Sequence, residues 1–219
     1  MKLTDRLFEA VKDIWEGYLE QPFVKELGNG TLDKDKFRFY MVQDYRYLLQ
    51  YAKVFALGVV KSDAEELMLR FAAMVNDTLD GEMNIHKAYM SRLGITSEEI
   101  ATTPSSLINS SYTSYMLDEA FKGGTLEIIT AVLSCAWSYE YIGVRLNKIP
   151  GAAEHPLYGE WVEGYASEEY HRATQEIIDV VNELGEGISP ETEKHITEIF
   201  VNCSRHEKNF WDMAYSMEM

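Results

Sequence analysis

Apolar positions recur at three- and four-residue steps along nearly all of the chain, and strand-like alternation bounded by turns is missing. The N-terminal stretch MKLTDRLFEAVKDIWEGY reads as an amphipathic helix over about Thr4–Glu16, ending before Pro22. Gly28–Asp33 (GNGTLD) reads as a loop, with Asp33 the N-cap of a long helix that carries DKFRFYMVQDYRYLLQYAKVFALGVV. Ser62 and Glu65 have the spacing of a capping box for a third helix, which continues to Arg92 and stops at Gly94. Thr96 and Glu99 start a short turn, and Thr103–Pro104 opens a helix over Ser106–Phe121 with proline at its first position. Gly123–Gly124 separates that helix from the most apolar stretch of the chain, TLEIITAVLSCAWSYEYIGVRLNKIP (Thr125–Pro150). A loop over Pro150–Pro156 follows, then a short helix through Glu163, a helix from Ser167 to the Gly185–Gly187 break, and a last helix capped by Ser189–Pro190. The pattern predicts an all-α bundle of about eight helices around one core, a single domain over residues 1–219.

Composition narrows what such a bundle can do. A net charge of −16 and a pI near 4.7 argue against nucleic-acid binding, which draws its affinity from clustered Lys and Arg. The same charge leaves a neutral or cationic small molecule unopposed. No apolar run reaches the roughly 18 uncharged residues of a membrane span. Two cysteines more than sixty residues apart, without a secretory signal, are expected to be reduced thiols in a cytoplasmic protein.

Against this background, several polar groups sit where a core helix would not place them. Cys135 and Tyr139 are four apart on the central helix and share a face, whereas Trp137 and Tyr141 fall on another side. On the long early helix, Tyr40, Asp44, Tyr47 and Tyr51 follow at i, i+4, i+7 and i+11, so a carboxylate lies within an aromatic stripe. On the last helix Phe200, Cys203, Glu207, Trp211 and Tyr215 form a similar stripe around Glu207. A buried carboxylate is costly unless paired, which marks Glu207 as a functional candidate. Cys203 reads as a small core residue. Tyr112 pairs with Met116 one turn on, and Tyr165 precedes the Ser167 cap. A thiol, two acids and several phenols, with no basic residue among them, suit a flat neutral heterocycle stacked between rings and hydrogen-bonded at its edge.

Metal binding is the competing reading. A di-metal carboxylate oxidase needs Glu-x-x-His on two helices; Glu168-x-x-His171 fits once, and Glu82 and His86 are one residue too far apart. Cys203-x-x-His206 has no partner pair for zinc. No metal or cofactor is therefore expected, and His171 and His206 read as surface or satisfied histidines.

Cys135-x-Trp137-x-Tyr139-x-x-Ile142-Gly143, Gln43-Asp44-x-x-Tyr47, SYTSYM, HPLYGEWVEGYAS and Glu207-x-x-Phe210-Trp211 together resemble the thiaminase II (TenA) family over essentially the whole length. The resemblance implies a haem-oxygenase-like all-α fold, without the proximal histidine of haem oxygenases, since the first histidine is His86. It implies a homotetramer that hydrolyses 4-amino-5-aminomethyl-2-methylpyrimidine, or thiamin, to the 5-hydroxymethylpyrimidine in thiamin salvage. By the same resemblance Cys135 is the nucleophile and Glu207 the terminal catalytic glutamate. Asp44 holds the aminopyrimidine, and Tyr47, Tyr112, Tyr139 and Tyr165 line its site. One departure stands out: many members carry Glu directly before the Ile/Val-Gly pair, where this chain has Tyr141 preceded by Glu140. A non-catalytic pyrimidine binder is the remaining alternative.

Overall fold

Eleven α-helices and one π-helical turn make up the computed structural model, which describes residues 1–219. They are α1 (Leu3–Tyr18), α2 (Pro22–Gly28), α3 (Lys34–Lys61), α4 (Glu65–Asn76), the π turn (Asp77–Glu82), α5 (Met83–Arg92), α6 (Ser97–Thr102), α7 (Leu107–Lys122), α8 (Thr125–Leu146), α9 (Gly159–Ala166), α10 (Glu168–Leu184) and α11 (Pro190–Ser216). No helix is long and apolar enough to cross a membrane. The chain divides into two compact units, one of Met1–Leu32 with Ile129–Asp212, the other of Asp33–Ile128 with Met213–Met219.

The first unit buries one stripe of α1. Leu3, Leu7, Val11, Trp15 and Tyr18 follow at helical spacing and all are buried. Trp15 meets Trp137 of α8 edge-on at 5.5 Å and Phe200 of α11 at 5.8 Å, with Phe8 against Trp137 at 5.5 Å. The Asn182 side chain of α10 accepts from both the backbone and the hydroxyl of Thr4, tying α10 to the start of α1. Ser167 caps α10 by accepting from the Tyr170 N–H, and the Ser189 hydroxyl accepts from the Thr192 N–H at the start of α11.

In the second unit α3 is the element against which α4, α5 and α7 pack. Asp33 caps it by accepting from the Asp35 N–H at 2.7 Å. Gln43, fully buried, ties α3 to the start of α7 through its side chain. It donates to the Pro104 carbonyl at 3.0 Å and accepts from the Ser106 N–H at 2.9 Å and from Asn109 at 3.1 Å. The Arg38 guanidinium donates to the Leu93 carbonyl and pairs with Glu99. α5 ends in a Schellman arrangement, in which the Ile95 N–H reaches the Met90 carbonyl and the Gly94 N–H reaches Ser91. That turn needs the φ of +73° at Gly94, which glycine adopts without steric cost.

Several boundaries differ from those read off the sequence. The third helix runs without a break from Glu65 to Arg92, as read from the sequence, but its hydrogen bonding widens into a π turn over Asp77–Glu82 that the periodicity did not indicate. Ser62 does not form a capping box. Its hydroxyl turns back to the Gly58 carbonyl at 2.6 Å, satisfying the end of α3, and Ala64 is the N-cap of α4. Pro104 lies before the N-cap of α7, not at its first position: Ser106 is the cap, accepting from the Asn109 N–H. The segment after Pro22 forms the short helix α2, with the proline at N1. The short helix after the Pro150 loop begins at Gly159 instead of Pro156.

Candidate active site

Two groups of polar and aromatic side chains answer to the residues singled out in the sequence, one within each unit.

In the first unit, α8 and α11 face each other at the level of Cys135 and Glu207. The hydroxyls of Ser134 and Ser204 are 2.9 Å apart, and the rings of Tyr139 and Trp211 are 5.1 Å apart. These two contacts bracket Cys135 on α8 and Glu207 on α11. Cys135 is 9% exposed and Glu207 1% exposed. Cys203 is fully buried one turn before Glu207, as a core position requires, and the two thiols are not joined in a disulfide. α1 supplies the floor: Trp15 donates its ring N–H to the Ser204 hydroxyl at 3.0 Å, and Tyr18 donates its phenol to the Ser204 carbonyl at 2.5 Å. Burial first, and then the charge of Glu207, hold the Tyr18 phenol well above its ordinary value. Cys135 and Cys203 add to this, against the hydrogen bond with Ser204. Tyr18 is therefore a neutral donor within electrostatic reach of both Cys135 and Glu207.

An aromatic cluster continues this surface. Tyr139 lies 4.8 Å from Tyr165 and 5.9 Å from Trp161, ring to ring. Trp161 is 4.6 Å from Tyr165, and Phe23 closes on Trp211 at 5.6 Å. The approach of α9 to α8 depends on Gly143, where an added Cβ would fall 2.7 Å from the carbonyl carbon and from the Cβ of Tyr165. The glycine of the Ile142-Gly143 pair thus sets how near the Tyr165 backbone passes to α8.

In the second unit, Asp44 on α3 is 3% exposed and bonded from two sides. Tyr40 donates its phenol to Oδ2 at 3.2 Å, and Nε2 of His86 on α5 lies 2.6 Å from the same oxygen. Nδ1 of His86 lies 3.1 Å from the Glu82 carbonyl, the last residue of the π turn. Burial alone would lower the histidine's pKa, but the hydrogen bond and charge of Asp44, with Glu82 adding, outweigh it and raise the pKa to about 8. The rings of Tyr47 and Tyr112 meet at a tilt of 38° with centroids 5.1 Å apart, and the Tyr47 phenol donates toward the Met116 sulfur at 3.6 Å. Tyr112 and Met116 are fully buried while Tyr115 is turned partly out, as their spacing implies.

The sequence reading missed three participants and misjudged one property. Tyr18 continues the Leu7, Val11, Trp15 stripe by three residues, and Trp161 stands one turn before Tyr165, so both carried a spacing signal. His86 was weighed only as a metal ligand. Its pairing with Asp44 corrects the expectation of no basic residue in the set. The Tyr141 departure proves peripheral to Cys135: Tyr141 packs with Phe8 and Trp15 while the Arg145 guanidinium lies 3.2 Å over its ring. Glu140 pairs with the exposed His171 at 2.5 Å.

The TENA/THI-4/PQQC family matches residues 8–217. An aminopyrimidine aminohydrolase of Halalkalibacterium halodurans is 43% identical over 219 residues, all of this chain and 98% of that protein. One of Helicobacter pylori is 45% identical over 215 residues, covering 98% and 99% of the two chains. Among solved structures, a TenA homologue from P. horikoshii OT3 superposes with a TM-score of 0.90 at 30% identity, covering 99% of each chain. A domain with a haem oxygenase-like fold from Shewanella denitrificans superposes at 0.79 with 16% identity, over 99% of this chain and 93% of that one, which bears on the fold alone.

Proposed function

Because the chain belongs to the TENA/THI-4/PQQC family, we propose that it is an aminopyrimidine hydrolase of thiamin salvage, converting 4-amino-5-aminomethyl-2-methylpyrimidine, and thiamin, to the 5-hydroxymethylpyrimidine. The observation that carries the reading is the Cys135–Glu207 level of α8 and α11, a nucleophile and a buried carboxylate bracketed by two contacts and walled by Tyr18, Tyr139 and Trp211.

The chemistry follows from the substrate. The leaving amine hangs on a methylene attached to the ring, where direct displacement by water is slow. The Cys135 sulfur adds to the adjacent ring carbon as a ring nitrogen takes up a proton, giving an enamine-like ring. That electron pair expels the protonated amine and leaves an exocyclic methylene. Water adds there, and the sulfur departs as the ring regains its aromaticity. Cysteine serves both steps, being strongly nucleophilic and a good leaving group. Glu207 carries the proton to the departing amine and takes one from the attacking water. Asp44 accepts from the 4-amino group and fixes the ring, while Tyr47, Tyr112, Tyr139 and Tyr165 stack against it or donate to its edge. A cytoplasmic homotetramer is part of the proposal, and light scattering of the purified protein tests its size.

The deciding experiment measures turnover of the aminomethylpyrimidine and of thiamin by wild type and Cys135→Ser. Activity on the first substrate that is lost in the variant, with pyrimidine binding retained by calorimetry, supports the scheme. Near-normal turnover in Cys135→Ser would remove the covalent step.

A further inference from the structure

The buried pair of Asp44 and His86 contains more than the role assigned to Asp44. Both ring nitrogens of His86 face acceptors: Nδ1 faces the Glu82 carbonyl, which can only accept, and Nε2 faces the Asp44 carboxylate. With Asp44 ionised, the ring satisfies both contacts only by carrying a proton on each nitrogen. The pair is 5% and 4% exposed at its side chains, so a carboxylate left there without a cation would be costly. Both contacts to Asp44, from His86 and from Tyr40, fall on Oδ2. Oδ1 is the oxygen that remains for a ligand's N–H. The π turn serves this arrangement, since its last residue, Glu82, supplies the carbonyl that fixes the ring. π segments inside helices are frequent at functional sites.

We propose that His86 is a positioning residue for the reaction: held as an imidazolium by the Glu82 carbonyl, it directs its other N–H at Asp44 and pins Oδ2, so that Oδ1 is presented to the 4-amino group of the pyrimidine. The proposal rests on the reading of Asp44 given above. The groups acting on His86 are Asp44 from α3, whose Oδ2 also accepts from the neutral Tyr40 phenol, and Glu82 at the end of the π turn. All three favour the protonated ring or are neutral. The rise of the His86 pKa to about 8 accords with this and sets the pH at which the arrangement fails.

The test compares kcat and KM for the aminomethylpyrimidine between pH 6 and 9.5 in wild type, His86→Gln and Asp44→Asn. In wild type KM should climb as pH rises through about 8. His86→Gln keeps a donor near Oδ2 but not the charge. Its KM should be raised about tenfold at pH 7, the worth of one charge-assisted hydrogen bond, with kcat within about threefold and the alkaline climb gone. Wild-type KM and an unchanged climb in His86→Gln, alongside an impaired Asp44→Asn, would overturn the role of His86 and leave that of Asp44 standing. An unimpaired Asp44→Asn would instead overturn the reading of Asp44 itself. Should the variant fail to fold, nitrogen NMR of the wild-type imidazole decides. Two protonated ring nitrogens at pH 7, moving when the hydroxymethylpyrimidine product is added, support the proposal, and a neutral ring at pH 7 overturns it.

Discussion

Gly143→Ala isolates one backbone contact and connects it to function. In a helix interior alanine is favoured over glycine by about 1 kcal/mol, so α8 by itself would gain from the change. The added Cβ would, however, lie 2.7 Å from the Tyr165 carbonyl carbon and Cβ and 2.9 Å from its oxygen, where ordinary contact begins near 3.4 Å. Two of those atoms belong to backbone, so no rotamer change relieves the overlap, and α9 must move outward by roughly the missing 0.7 Å. Overpacking of this kind costs about 1–3 kcal/mol. Gly17, near the end of α1, has nothing within 4 Å of an added Cβ, and its alanine variant serves as the control. The two variants should differ by about 2 kcal/mol in urea unfolding, or roughly 4–8 °C in Tm for a chain of this size, with Gly143→Ala the weaker. Because Tyr165 moves with the backbone, KM for the pyrimidine should rise more than kcat falls. Equal melting temperatures for the two variants would refute the argument that the glycine is there for the close approach.

Three further outcomes are expected. Ser204→Ala strands the Trp15 ring N–H and removes the partner of Ser134, so it should cost about 1–3 kcal/mol, read by urea unfolding. A loss below a few tenths would mean that water replaces the hydroxyl. The Asp44–His86 pair makes stability pH-dependent with a definite sign. The folded pKa of about 8 lies above the unfolded 6.5, so the contribution is fully present below about pH 6.5 and lost as pH rises through 8. It amounts to about 2 kcal/mol. Unfolding free energies at pH 6 and pH 9 should therefore differ more in wild type than in His86→Gln, and parallel profiles would contradict the pairing. Glu207→Gln should lower kcat by about a hundredfold or more with KM little changed; a change confined to KM would assign the residue to binding.

The sequence alone determined the helical class, because a 3.6-residue apolar period admits one secondary structure whatever the partners. It determined which positions were suspect too, since an acid within an aromatic stripe, as at Asp44 and Glu207, contradicts the pattern that buries the stripe. Local chemistry reached as far as local hydrogen bonds do: Asp33, Thr96 and Ser167 cap the helices that follow them because a side chain and an N–H two or three residues on are always within reach. Ser62 marks the limit of that reasoning. Its hydroxyl could serve the helix before or the helix after, and only the path of the chain decided for Gly58. Everything that depended on residues far apart in sequence waited for the tertiary structure. The proton on His86 is set by a carboxylate 42 positions away. The phenol of Tyr18 donates to a carbonyl 186 positions away, and the need for glycine at 143 is set by the backbone of Tyr165. Periodicity tells which face of a helix is buried; what that face meets is fixed by packing, and the charge and hydrogen-bonding state of a buried group follow from what it meets.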